Sequence, residues 1–231
     1  MNTLQTRVLP LLAAAVAAGS ASAAPIFSAD FESGTTPAGV GGAGAVESSQ
    51  GLSAFGFGQQ LLVNAGVSQP TTIEFTLSQA SFVDIGFDVA IIDSWDGSSG
   101  PDFLQVDLNG DTLFRESFDF TDAADQSFNP PPGSTILARD TSDPINRFTG
   151  SQRFNDQAYD FGQLSQFQGL NLGAGTYTLG VQATGGGAQG GTNESFGLDN
   201  ILIDATPIPE PAAAAWLLGM GGLLVRRSRR A

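Results

Sequence analysis

Almost every side chain able to do chemistry in this 231-residue chain is a carboxylate. There are 23 Asp and Glu residues, no His and no Cys, and all nine cations are Arg. Without His, Cys or Lys there is no Ser-His-Asp or Cys-His nucleophilic site, no Schiff-base lysine and no histidine zinc centre. Paired carboxylates of the glycosidase kind remain. With this many acids, however, some pair always falls at a workable separation, so spacing gives no argument for catalysis. The sequence reads as a non-enzyme.

The acids gather in two places. The first is Asp93-Ser94-Trp95-Asp96-Gly97, with Asp102 following; the second is Asn193-Glu194-Ser195-Phe196-Gly197-Leu198-Asp199-Asn200. Hard oxygen ligands on loops with glycine turns are what Ca²⁺ requires, so Asp93, Asp96, Asp102, Glu194 and Asp199 are expected to hold calcium. Asp, Asn, Ser and Gly also build ordinary turns. Asn155-Asp156 and Tyr159-Asp160 are weaker additions. Trp95 is the ring best placed to stack on a ligand, whereas the 17 Phe read as core.

These clusters need strands to position them, and the sequence supplies strands. Val83, Ile85, Phe87, Val89 and Ile91 alternate with Asp84, Gly86 and Asp88, which predicts a long strand with one buried face. Ile73, Phe75 and Leu77 repeat the pattern, and so does Thr176 to Gln182. Asn109-Gly110, between Phe103–Leu108 and Thr112–Phe118, predicts a type I′ hairpin. Leu61 to Val63 and Leu198 to Ala205 are further strands, and Phe27 to Glu32 alternates. Gly34 to Gly44, Asp93 to Pro101, Thr121 to Ser151 and Gly185 to Gly191 read as loops. No helical period appears outside the two ends. The expected fold is all-β, an antiparallel β-sandwich of jelly-roll type. If the strands bearing the two clusters are antiparallel, both clusters meet at one end.

The ends differ from the body. Arg7, the apolar run Val8 to Ala18 and Ala21-Ser22-Ala23 form a secretory signal peptide, with cleavage expected after Ala23. At the other end stand Pro209, Glu210 and Pro211, then 14 apolar residues from Ala212 to Val225, then Arg226, Arg227, Ser228, Arg229 and Arg230. At about 1.5 Å per residue the run reaches only about 21 Å, and the cations hold the C-terminus on the cytoplasmic side. The expected organisation is a signal peptide over 1–23, one domain over 24–206 and a tail over 207–231 with a short membrane helix. Setting aside Arg7 and the four tail arginines leaves four cations in the body, against 22 acids once Glu210 is set aside, a net charge of −18. Such a charge opposes nucleic acid and anionic lipid as partners.

The tail resembles the PEP-CTERM sorting signal of Gram-negative bacteria, carried by Pro209, Glu210, Pro211, the apolar run and the arginines. That resemblance implies an exosortase as partner, transient residence in the inner membrane, removal of the tail, and delivery to the cell surface or extracellular matrix. The body has a second resemblance. Asp30-Phe31-Glu32 and Gly197-Leu198-Asp199-Asn200-Ile201 are similar to the first and last strands of galactose-binding-like and carbohydrate-binding jelly rolls. It implies one structural calcium shared by Glu32 and Asp199. The expected function is therefore that of an exported, calcium-stabilised surface or matrix protein, the alternative being a module that engages extracellular polysaccharide.

Overall fold

The computed structural model describes residues 22–97, 100–119, 124–132, 136–142, 145, 147 and 154–209. Nearly all of the signal segment, and Glu210, Pro211, Arg226, Arg227, Arg229 and Arg230 of the tail, lie outside the described residues.

Thirteen strands follow in order: β1 (Ala24–Ala29), β2 (Val40–Gly42), β3 (Ala45–Ser48), β4 (Gln60–Asn64), β5 (Thr71–Leu77), β6 (Ser81–Asp93), β7 (Phe103–Leu108), β8 (Asp111–Ser117), β9 (Ile136–Ser142), β10 (Asn155–Asp160), β11 (Leu170–Leu172), β12 (Gly175–Thr184) and β13 (Glu194–Pro207). They form two sheets, the all-β sandwich expected from the alternation. The larger runs β3-β4-β13-β6-β10-β9, with β1 also beside β13 and β11 also beside β6. The smaller runs β2-β5-β12-β7-β8. The strand pairings of both sheets are antiparallel.

The inward face of β6 (Val83, Ile85, Phe87, Val89, Ile91) packs with Ile73 and Phe75 of β5, Leu104 and Val106 of β7, and Leu179 and Val181 of β12 in one buried core. Period 2 is lost after Val89, where β6 becomes buried on both sides. There Ala90 and Ile92 face a second apolar cluster containing Leu52, Phe57, Leu61 and Val63. Most of the described phenylalanines are core, as expected, although Phe82 is exposed. Phe114, Phe118, Phe128, Phe161 and Phe167 pack ring against ring with Tyr159, at centroid separations such as 4.9 Å for Phe114–Phe161. The β7–β8 turn puts Asn109 and Gly110 at φ +51° and +88°, the type I′ geometry their sequence demands.

Some segments differ from the sequence expectation. Thr121 to Ser151 is not all loop, since it contains β9, and β10 was not foreseen either. The second acidic cluster is mostly strand, because β13 begins at Glu194 rather than at Leu198.

Candidate metal centre

The long central pair β6 and β13 sets the frame. They run antiparallel with Asp93 opposite Glu194, so the end of one acidic segment meets the start of the other. Asp93 adopts φ +67°, a left-handed conformation that Asp tolerates better than most residues, and turns the chain off the sheet. Ser94 then staples the two segments together. Its N–H donates to the Asn193 carbonyl at 3.0 Å, and its hydroxyl donates to Asn193 Oδ1 at 2.5 Å.

Trp95, expected to face a ligand, is fully buried instead. Its Nε1 donates to the Ser195 carbonyl at 2.9 Å, and its ring meets Phe118 edge-on at 6.1 Å. The large apolar ring is held by the core, and its polar edge is satisfied by β13. It is an anchor for the loop and offers no surface to a ligand.

Beyond Trp95 the chain brings Asp96, Asp102 and Glu194 together, with one carboxylate oxygen of each within 4.8 Å of the others. Asp102 and Glu194 divide their oxygens in the same way. Asp102 Oδ2 accepts from the Asp96 N–H at 2.9 Å, while its Oδ1 is buried with no hydrogen-bond partner. Glu194 Oε2 accepts from the Gln189 N–H at 2.6 Å, while its Oε1 is likewise buried and unpartnered. Both residues are only 1% exposed. One oxygen of each folds a loop and the other is left buried without a partner. A buried acceptor without a partner is costly and uncommon.

The electrostatics match. Burial pushes Asp102 up to about 6, with Asp96 adding repulsion, and pushes Glu194 up to about 7, with Asp102 and Asp96 adding to it. Asp96 is raised as well, first by burial and then by Asp119. Asp119 was missed by sequence reasoning. It pairs with Asp96 in an isolated bridge after β8 and is 5% exposed. A Cβ on Gly97 would stand 2.7 Å from Asp119 Oδ2. Its only sequence signal was an acid one residue past a predicted strand. On the other side, a Cβ on Gly187 would collide with the Gly100 carbonyl and lie 2.8 Å from Asp102 Oδ1. The glycine loop therefore closes directly over the cluster. Three carboxylates, two of them with idle buried oxygens, fit a hard cation of calcium type.

The other expected ligands do not join the three. Asp93 is buried beside Glu194, and its N–H donates to Asp156 Oδ1 at 2.9 Å. Asp199 stands opposite Asp88, five residues along β13 from Glu194 and so about 17 Å away at the usual strand rise. It works with Glu32 on a different segment. Asp199 Oδ2 accepts from Gly58 N–H at 3.2 Å, and Glu32 Oε1 accepts from Gln59 and Gln60 N–H at 2.7 and 3.1 Å. Burial pushes Asp199 up to about 7, with Asp88 and Glu32 adding repulsion. Backbone amides engage both carboxylates, tying Gly58 to β13 and Gln59 and Gln60 to the segment after β1. Asp156 clamps the Asp93 and Ile145 amides, and Asp160 caps Gly162 N–H at 2.7 Å. Both are loop clamps rather than additions to the carboxylate cluster.

The outer face of the smaller sheet carries a different feature. Gly180, in the central strand β12, lies between Thr72 of β5 and Asp107 of β7. An open trough of about 430 Å³ surrounds it, lined by Pro70, Thr72, Asp107, Asn109, Thr178 and Gln182 among others. Asp107 accepts from Gln105 Nε2 at 3.0 and 2.9 Å, from the Thr112 hydroxyl at 2.6 Å and from Gln182 Nε2 at 3.4 Å.

No protein-family model matches the chain, and no curated protein matches it. Among solved structures the chain is similar to the CBM22-1 xylan-binding domain of Xyn10C from Paenibacillus barcinonensis, at 16% identity and TM-score 0.36, over 82% of this chain and 99% of that one. It is similar to the CBM22-1–CBM22-2 tandem of the same protein at 17% identity and TM-score 0.37, over 84% of this chain and 49% of that one. It is also similar to the Agl-KA catalytic domain at 17% identity and TM-score 0.36, over 82% of this chain but only 29% of that one. At such distances no ligand and no residue role passes to this chain.

Proposed function

We propose that this chain is an exported, non-catalytic surface or matrix protein whose sandwich is locked at one end by calcium. Asp96, Asp102 and Glu194 are the ligands. The observation that carries the assignment is the pair of idle, buried oxygens, Asp102 Oδ1 and Glu194 Oε1, within a three-carboxylate cluster. A divalent cation there ties together the Asp93 turn, the segment entering β7 and the loop entering β13. The chain has no cysteine to make such ties. The same burial argues against catalysis by Asp102 and Glu194. Carboxylates 1% exposed cannot reach a glycosidic oxygen. Export and removal of the tail by an exosortase rest on the signal segment and on the Pro209, Glu210, Pro211 and arginine pattern. A second function, engagement of extracellular polysaccharide, is favoured by the open trough of the smaller sheet.

Calorimetric titration of the chelator-treated protein with CaCl₂ near pH 8 tests the calcium assignment. The expected result is one saturable site, lost in Asp102→Asn and in Glu194→Gln and retained in Asp199→Asn. Saturable binding that survives both of the first two substitutions overturns it.

A further inference from the structure

We infer that the trough around Gly180 binds a neutral, hydroxyl-rich glycan segment. This rests on the polysaccharide reading but does not depend on the calcium site. A glycine inside a central strand weakens the strand and marks a bulge or a close approach of something to the backbone. Several glycines of this fold have evident structural reasons. A Cβ on Gly42 or Gly185 would strike the carbonyl of Pro70 or Pro101, and both residues have positive φ. Gly180 has neither reason. Its φ is not in the left-handed region, and the nearest atom to an added Cβ is Pro70 Cβ at 3.7 Å, an ordinary contact. Neither backbone nor packing requires glycine there. Its effect is to leave the floor of the trough open at the middle of the sheet.

The walls define the occupant. The Asp107 carboxylate lines the trough and is held by hydrogen bonds from Gln105, Thr112 and Gln182, and the Asn109 and Gln182 amides line it as well. Thr72 and Thr178 add hydroxyls on either side. Groups that both donate and accept suit vicinal hydroxyls. The lining named here includes no exposed large apolar side chain to hold a hydrophobic peptide. The body's net charge of −18 repels a polyanion.

Affinity electrophoresis of the full chain tests this, with gels containing dextran, hydroxyethylcellulose, laminarin or, as the polyanion, alginate. The expected result is retardation by at least one neutral polymer and none by alginate. Gly180→Val fills the trough with a side chain that strands favour, and it should weaken retardation at least tenfold with the melting temperature unchanged or raised. Gly180→Ser, a smaller plug, serves if the valine variant folds poorly, and should weaken retardation several-fold. Wild-type retardation that persists in both variants places glycan binding elsewhere on the molecule and overturns the trough alone. Absence of retardation of the wild type in every neutral gel overturns the polysaccharide reading and the trough with it. Retardation by alginate alone overturns the neutral-ligand assignment.

Discussion

Removing calcium at different pH values separates a true metal centre from general screening of an acidic protein. In the metal-free fold Asp102 is pushed from 3.8 up to about 6, and Glu194 from 4.5 up to about 7. Folded values above unfolded ones mean that the native state holds protons the unfolded chain has released. The contribution of these groups to stability is complete below about pH 4 and is lost as pH rises through about 7. One pH unit of displacement corresponds to about 1.4 kcal/mol. Allowing for solvent at the partly exposed Asp96 side, the pair costs the metal-free fold ~4 kcal/mol at pH 8. A chain of this size loses about 2–4 °C per kcal/mol, so the melting temperature should fall by roughly 8–16 °C from these groups. Calcium needs both groups ionised, so its increment runs the opposite way. Near pH 5 it should be close to zero. Near pH 8, at a hundredfold excess over Kd, it should reach about 2.7 kcal/mol, or roughly 5–11 °C. Scanning calorimetry in chelator, CaCl₂, MgCl₂ and matched NaCl reads it out. Magnesium should do little, because it demands a smaller octahedral site. Asp102→Asn should abolish the calcium increment. Asp199→Asn should soften the metal-free pH slope, since Asp199 is also pushed up to about 7, and leave the calcium increment intact. The same increment at pH 5 and pH 8, its reproduction by sodium, or its survival in Asp102→Asn would refute the reasoning.

Trp95→Ala should cost about 3–5 kcal/mol in urea denaturation, because it empties a fully buried site and strands the Ser195 carbonyl. Asp156→Ala leaves the Asp93 and Ile145 amides without their carboxylate, and should cost about 2–4 kcal/mol by the same measurement. On the proposed export route, protein recovered from the surface of the producing cells should begin near Ala24 and lack Arg226 to Arg230. Intact mass decides this, and a surface form retaining the arginines would remove the sorting assignment.

What could be read from the sequence was what one strand decides by itself. Val83 to Ile91 declares a face because alternate residues must all meet the same core, and Asn109-Gly110 declares its turn because few residue pairs accept two positive φ values. What could not be read was set by neighbours in space. Nothing local shows that the second apolar cluster would cover the back of β6 after Val89, nor that β10 would be recruited beside it. The candidate metal centre divides in the same way. Grouping Glu194 with Asp199 followed their nearness in sequence, but strand rise carries Asp199 away to Asp88. Asp119 joins Asp96 only through a bridge between loops. Trp95 looked like a binding ring because it sat among loop residues. Its fate was settled by Phe118 and by the Ser195 carbonyl, 100 residues away along the chain.

The strand pairing also gives the molecule a polarity. β1 opens with Ala24 opposite Ala205, near the end of β13, so the first and last strands of the domain put their outer ends side by side. Glu194 stands at the other end of β13, 13 residues away, which is about 43 Å of extended strand. On the proposed export route the signal segment and the sorting tail are therefore both joined to one end of the sandwich, and the three-carboxylate cluster occupies the opposite end. On that route the length of β13 separates the cluster from the tail junction, a distance well beyond the roughly 8–10 Å over which charges are felt in physiological salt. On the proposed reading, calcium locks the loops at the end of the sandwich opposite the tail junction. Folding at that end would not have to wait for sorting at the other.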